Sequence, residues 1–94
     1  MKVIVNYIGE GKGLTSFAVD NDYVTIRASL ASVSVGQSKA LKGKKRVTAV
    51  FDVEASQATP LLLLKDCVCA HVARNVRRMD GLCDDYPVEV AASQ

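Results

Sequence analysis

The stretch from Arg46 to Met79 constrains this chain more than any other. A run of strand character, RVTAVFDVEA, leads through SQAT and Pro60 into LLLLKDCVCAHVARNVRRM, which projects as a helix apolar nearly all round. A helix of that kind needs cover on more than one side. A chain of 94 residues has little other material to provide it. The segment therefore points to a second chain, and self-association is the first functional expectation.

The helix has boundary signals at both ends. Thr59 fits the N-cap and Pro60 the first helical position, where a missing N–H costs nothing. Gly81 fits a C-terminal stop, so a long helix is expected over 59–80. At 100° per residue, Leu61, Leu62, Leu64, Val68, Cys69, Val72, Ala73, Val76 and Met79 form a broad apolar face. Asp66, His71, Arg74, Arg77 and Arg78 mark the polar side, and Leu63, Cys67 and Ala70 fall within it. Those three are the expected oligomer-contact positions.

Upstream, alternation dominates. KVIVNY, residues 2–7, is rich in β-branched residues and runs into Gly9, Gly11 and Gly13, a strong turn signal. Leu14 to Val19 is expected to return as the second arm of an N-terminal hairpin, with Asp20-Asn21-Asp22 as the next turn. From Tyr23, Val24, Ile26, Ala28 and Leu30 share one face and Thr25, Arg27 and Ser29 the other. The apolar phase then slips to Val33 and Val35, which predicts a bulge near Ala31-Ser32, with Gly36 ending the strand. In the last sheet segment Val47, Ala49, Phe51 and Val53 oppose Thr48, Val50, Asp52 and Glu54. The expected fold is α+β: one domain over 1–94, an antiparallel sheet of about four strands (N-terminal hairpin plus two further strands, mainly within 1–54), one long helix at 59–80 and a short tail at 81–94. Within the tail, Val88-Glu89-Val90 can form a short edge strand.

The residues that carry chemistry do not assemble into an enzyme. His71 is the single histidine and sits mid-helix without a nucleophile nearby. GEGKG follows a strand but yields neither a phosphate loop nor a dinucleotide fingerprint. Cys67, Cys69 and Cys83 lack metal-ligand spacing, and on a helix the first two point about 160° apart, so structural thiols are expected. No cofactor, metal or small-molecule substrate is expected. The N-terminal apolar run is too short for a signal peptide and no window reaches the ~18 apolar residues of a membrane span, so a cytoplasmic, membrane-free setting is expected.

Charge offers the clearest binding candidate. Residues 1–51 hold eight Lys/Arg against three Asp/Glu, and residues 52–94 hold four against seven. The basic excess concentrates in QSKALKGKKR, a connecting loop over 37–46 that brings Lys42, Lys44, Lys45 and Arg46 together with Lys39. These side chains can meet phosphates, or they can be solvated cations that keep a sheet edge from pairing. Thr25, Arg27, Ser29 and Thr48 could extend a nucleic-acid surface across the polar face of the sheet, which could equally be solvent-facing.

The order of these pieces resembles that of the coat proteins of single-stranded RNA bacteriophages. VIVNYIGEGKGLTSFAVDND resembles their N-terminal hairpin; YVTIRASLASVSV and KKRVTAVFDVEA resemble their sheet strands; SQATPLLLLKDCVCAHVARNV resembles the helix entered from the last strand; and MDGLCDDYPVEVAASQ resembles the tail. The chain is shorter than typical members, with the connection 37–46 in place of further strands. The resemblance implies a structural subunit that dimerises with each helix over its partner's sheet and assembles into a shell around RNA. It implies a virion protein assembled in the bacterial cytoplasm. By position it would place Thr25, Arg27, Ser29, Arg46 and Thr48 near RNA, and Leu63, Cys67 and Ala70 at chain contacts. Two other readings use the same features: a small nucleic-acid-binding regulator acting through the basic loop, and a protein inhibitor acting through the apolar helix.

Overall fold

A computed structural model describes residues 1–39, 43–57 and 64–93. The fold is α+β, as the alternating segments followed by a helical one predict. Five strands form one antiparallel sheet: β1 (Lys2–Ile8), β2 (Phe17–Asp20), β3 (Val24–Gln37), β4 (Lys45–Gln57) and β5 (Glu89–Ser93). The helix α1 (Leu64–Met79) precedes β5 and packs on one face, chiefly against β4 and β5. Across the sheet the order is β2-β3-β4-β1-β5.

The core follows directly from the period of two. Val3, Val5 and Tyr7 of β1, Val24, Ile26 and Ala28 of β3, and Val47, Ala49, Phe51 and Val53 of β4 all turn inward and are buried. Val68, Val72 and Val76 of α1 complete the cluster. Phe17 of β2 meets Phe51 edge-on with ring centroids 5.5 Å apart, the arrangement that ring quadrupoles favour.

Three expectations need correction. The N-terminal strands do not pair with each other: β1 lies between β4 and β5, while β2 pairs with β3. The glycine segment is a crossing rather than a hairpin turn, because it is tied to the end of the helix. Glu10 and Gly11 donate their backbone N–H groups to Asp80 Oδ2, both at 3.1 Å. Gly13 passes so close to the Met79 carbonyl that a Cβ there would collide with it. The real hairpin follows β2, where Asn21 Oδ1 accepts the N–H groups of Tyr23 and Val24 at 2.8 and 2.9 Å, an Asx turn.

Secondly, Gly36 does not end β3. The ladder continues past it, Gly36 pairing with Arg46 and Gln37 with Lys45, so the connection is shorter than 37–46. A glycine loses packing in a strand but no ladder hydrogen bond, and long partner registry carries the strand through. Ser38 then donates its N–H to the Lys44 carbonyl at 3.0 Å. The expected bulge is present, with the register shifting between Leu30 and Ser32.

Thirdly, the described helix is shorter than expected and amphipathic. Lys65, Asp66, Ala70, Arg74 and Arg78 are exposed while Val68, Val72, Ala73 and Val76 are buried. The leucines at 61–63 that gave the segment its all-round apolar character, and the expected caps at 59 and 60, lie outside the described residues. At its other end the helix stops at Gly81 as anticipated. Gly81, at φ 69°, donates to the Arg78 carbonyl, and Leu82 donates to that of Arg77 at 2.7 Å, the Schellman arrangement. The tail then returns to the sheet. Its strand starts one residue later than expected and extends to Ser93, because Lys2 to Asn6 of β1 offer it a full edge.

Candidate nucleic-acid and self-association surfaces

Two surfaces carry the residues singled out from the sequence. The first is the sheet face opposite the helix. Thr25, Arg27 and Ser29 of β3 and Thr48 of β4 stand on it together, as alternation predicts. Their neighbours in the ladder are acidic or neutral: Glu54 faces Arg27, Asp52 faces Ser29, and Asn6 Oδ1 accepts a hydrogen bond from Thr48 Oγ1 at 2.6 Å. Thr25 Oγ1 likewise donates to Asp20 Oδ1 at 3.2 Å. Lys2, Arg27 and Arg46 therefore share this face with Asp20, Asp52, Glu54 and Glu89. Mixed charge at this density does not focus a positive field. A shallow depression of about 590 Å³ forms beside Arg27, Ser29, Asp52 and Glu54, with Lys2 and Ser93 on its far side.

Positive charge collects instead where β3 turns into β4. Lys39, Lys44, Lys45 and Arg46 are exposed there, and Lys42 lies outside the described residues. Lys45 Nζ sits 3.3 Å from Glu10 Oε2, an exposed pair that contributes little to stability. The pair partly neutralises the cluster, while Lys44 and Arg46 are exposed. This basic end lies beside the glycine crossing and the end of β1: Ile8 pairs with Arg46, Gly9 donates to the Lys45 carbonyl, and Lys44 and Lys45 border a depression with Asp80, Leu82 and Tyr86.

The second surface runs along the outer margin of β3. β2 covers β3 only from Thr25 to Ala28. Ser16 Oγ accepts the Leu30 N–H at 2.9 Å, which satisfies the next edge group beyond β2. From Ala31 to Gln37 every residue is exposed, and no described strand lies alongside on that side. Val33 and Val35 point to the face that forms the core elsewhere, opposite buried Ala49 and Val47, yet are 37% and 47% exposed. The helix packs chiefly against β5 and β4, and the glycine crossing gives Val35 partial cover through Gly11. This margin was legible in part, since the slipped phase at Val33 and Val35 put both on the apolar face, but its missing neighbour depends on strand order.

Two of the three expected contact positions on the helix lie within the described residues. Cys67 is half-buried and packs against the core of its own chain, Ala70 is exposed, and Leu63 lies outside the described residues. Burial, then the Asp66 carboxylate, push the Cys69 thiol up, with Lys65 opposing. The exposed Cys83 thiol is raised chiefly by its hydrogen bond to Asp85, whose carboxyl is lowered by the same contact. Among the described residues no three His, Cys, Asp or Glu side chains gather as metal ligands, and no helix is long and apolar enough to cross a membrane. Comparison of this chain with protein-family models, with curated proteins and with solved structures found no match.

Proposed function

We propose that this chain is a structural subunit that associates with copies of itself and assembles, in the manner of a small coat protein, around RNA. The observation that carries the reading is the outer half of β3, which has no further strand beside it among the described residues and whose apolar face is only partly covered, with Gly11 lying against Val35. A strand edge of that kind is a template for pairing with another chain unless it is guarded. The exposed basic end of the β3–β4 ribbon supports the RNA part of the reading, because it places Lys39, Lys44 and Arg46 where an assembled layer could present them to phosphates. In this reading the partners are other copies and RNA, the setting is a virion assembled in the bacterial cytoplasm, and no catalysis is required.

The test is purification with and without nuclease, followed by size-exclusion chromatography and negative-stain microscopy. The expected result is a very large species that carries RNA protected from nuclease and shows particles. A regulator of nucleic acid would instead form discrete small complexes, with RNA fully open to nuclease. A protein that stays small and free of RNA under conditions that favour assembly would overturn the proposal.

A further inference from the structure

We infer that the free margin of β3 pairs with the same margin of a second copy, antiparallel and about a two-fold axis through Ser34, which joins two five-stranded sheets into one. The inference deepens the proposed self-association by naming its surface and register.

The directions of the backbone groups follow from bonds at the other side of the ribbon. The Lys45 carbonyl accepts from Gly9, and Val53 donates to Met1, so odd-numbered residues of β4 bond toward β1. By the alternation of an antiparallel ladder, even-numbered residues of β4 bond toward β3. Their partners Ser32, Ser34 and Gly36 are thereby engaged. Val33, Val35 and Gln37, which face Ala49, Val47 and Lys45, direct their N–H and C=O groups outward.

The occupant follows from chemistry along this edge. The segment ASVSVGQ holds no charge and no proline. The other free margins are guarded: β2 is four residues long and ends in Asp20, and β5 begins with Glu89 two residues after Pro87. Lysines, prolines, short strands and bulges are the usual protections against edge pairing, and the outer half of β3 has only the bulge at its start, between Leu30 and Ser32. The segment is also self-complementary. An axis through Ser34 sets Val33 against Val35 of the second copy, both with outward backbone groups, and Ala31 against Gln37. Valines then meet valines on the core-side face, serines meet small residues on the other, and the exposed strip on each copy is covered by its twin. A shift of one residue would set outward groups against groups already engaged with β4.

Two variants test the register. Ser34→Cys places one thiol on each side of the axis in a non-hydrogen-bonded pair, where side chains approach within about 5 Å. Mild oxidation should give a disulfide between the introduced thiols, located by peptide mass against the native Cys67, Cys69 and Cys83. Val35→Pro removes an outward donor from each copy while leaving the β4 ladder intact, and should weaken the dimer about tenfold or more in sedimentation equilibrium with unchanged circular dichroism. Should that variant misfold, Val33→Lys gives the same reading through charge at the edge. Absence of the disulfide together with undiminished association overturns the register even if large RNA-bearing particles form. A dimer that shows the disulfide but never grows further upholds the pairing and overturns the coat assembly.

Discussion

Removing the Asp80 carboxylate should destabilise the fold well beyond the usual effect of a surface substitution. One oxygen, Oδ2, accepts the N–H groups of Glu10 and Gly11 at 3.1 Å each and so clamps the glycine crossing to the end of α1. Hydrogen bonds to a charged group contribute about 1.5–3 kcal/mol each when well enclosed. Here both bonds share one acceptor, and Glu10 is exposed, so each falls to the ordinary value of about 1 kcal/mol and the pair together contributes about 2 kcal/mol. For a domain of this size 1 kcal/mol shifts the melting temperature by about 4–8 °C. Asp80→Ala should therefore melt roughly 10 °C below wild type at equal protein concentration, which must be matched because association shifts Tm. Asp80→Asn retains an acceptor without the charge and should fall between the two. Asp84→Ala, at an exposed turn position, serves as the control and should lie within about 0.5 kcal/mol of wild type. Thermal and urea melts followed by circular dichroism give the comparison. An Asp80→Ala variant indistinguishable from Asp84→Ala would refute the clamp as the reason that β1 and β2 are kept apart.

Tyr7 makes a second case. Its buried hydroxyl lies beside the Asp80 carboxylate without a well-formed hydrogen bond among the described residues, and burial, followed by that carboxylate, pushes its pKa well above the ordinary tyrosine value. A raised folded value means that its contribution is intact below about pH 10 and is lost as pH rises beyond that. Tyr7→Phe should melt at the same temperature as wild type or higher near neutrality, and should lose less stability in alkaline urea melts. Asp85→Asn should speed alkylation of Cys83 near neutral pH, since the carboxylate holds that thiol up; iodoacetamide labelling read by peptide mass measures it. For nucleic acid, five phosphate contacts from Lys39, Lys42, Lys44, Lys45 and Arg46 would give a log–log salt slope of about −3.5 on a single strand, and about −2.8 if Glu10 keeps Lys45 engaged. Replacing Lys44 and Arg46 with Ala should shrink the slope by about 1.4, measured by fluorescence anisotropy with a labelled RNA.

Particular residues show how far sequence reaches. Val24 to Leu30 and Val47 to Val53 declare their faces because a half-buried strand alternates, and the slip at Ala31-Ser32 declares its bulge for the same reason. Alternation assigns a face but not a neighbour, so the place of β1 between β4 and β5 was hidden. The clue was an aspartate 70 positions away from the glutamate whose N–H it accepts. Strand β5 was hidden in part because AAS, residues 91–93, has little strand propensity; the edge of β1 makes it a strand. Gly36 misled because a glycine reads as punctuation, while the paired ladder on one side of it overrides that preference. On the polar sheet face the hydroxyls and Arg27 were legible, but the acidic neighbours opposite them depend on register. The basic ribbon end was legible outright, since five cations within eight positions need no tertiary information.

Self-association is the claim on which the functional account stands, and the mass of the particle in solution tests it most directly. Light scattering on the purified chain across a rising concentration series should report at least twice the 10.1 kDa of one copy, growing toward a large assembly when RNA is present. A constant single-chain mass across the series, with and without RNA, would contradict it.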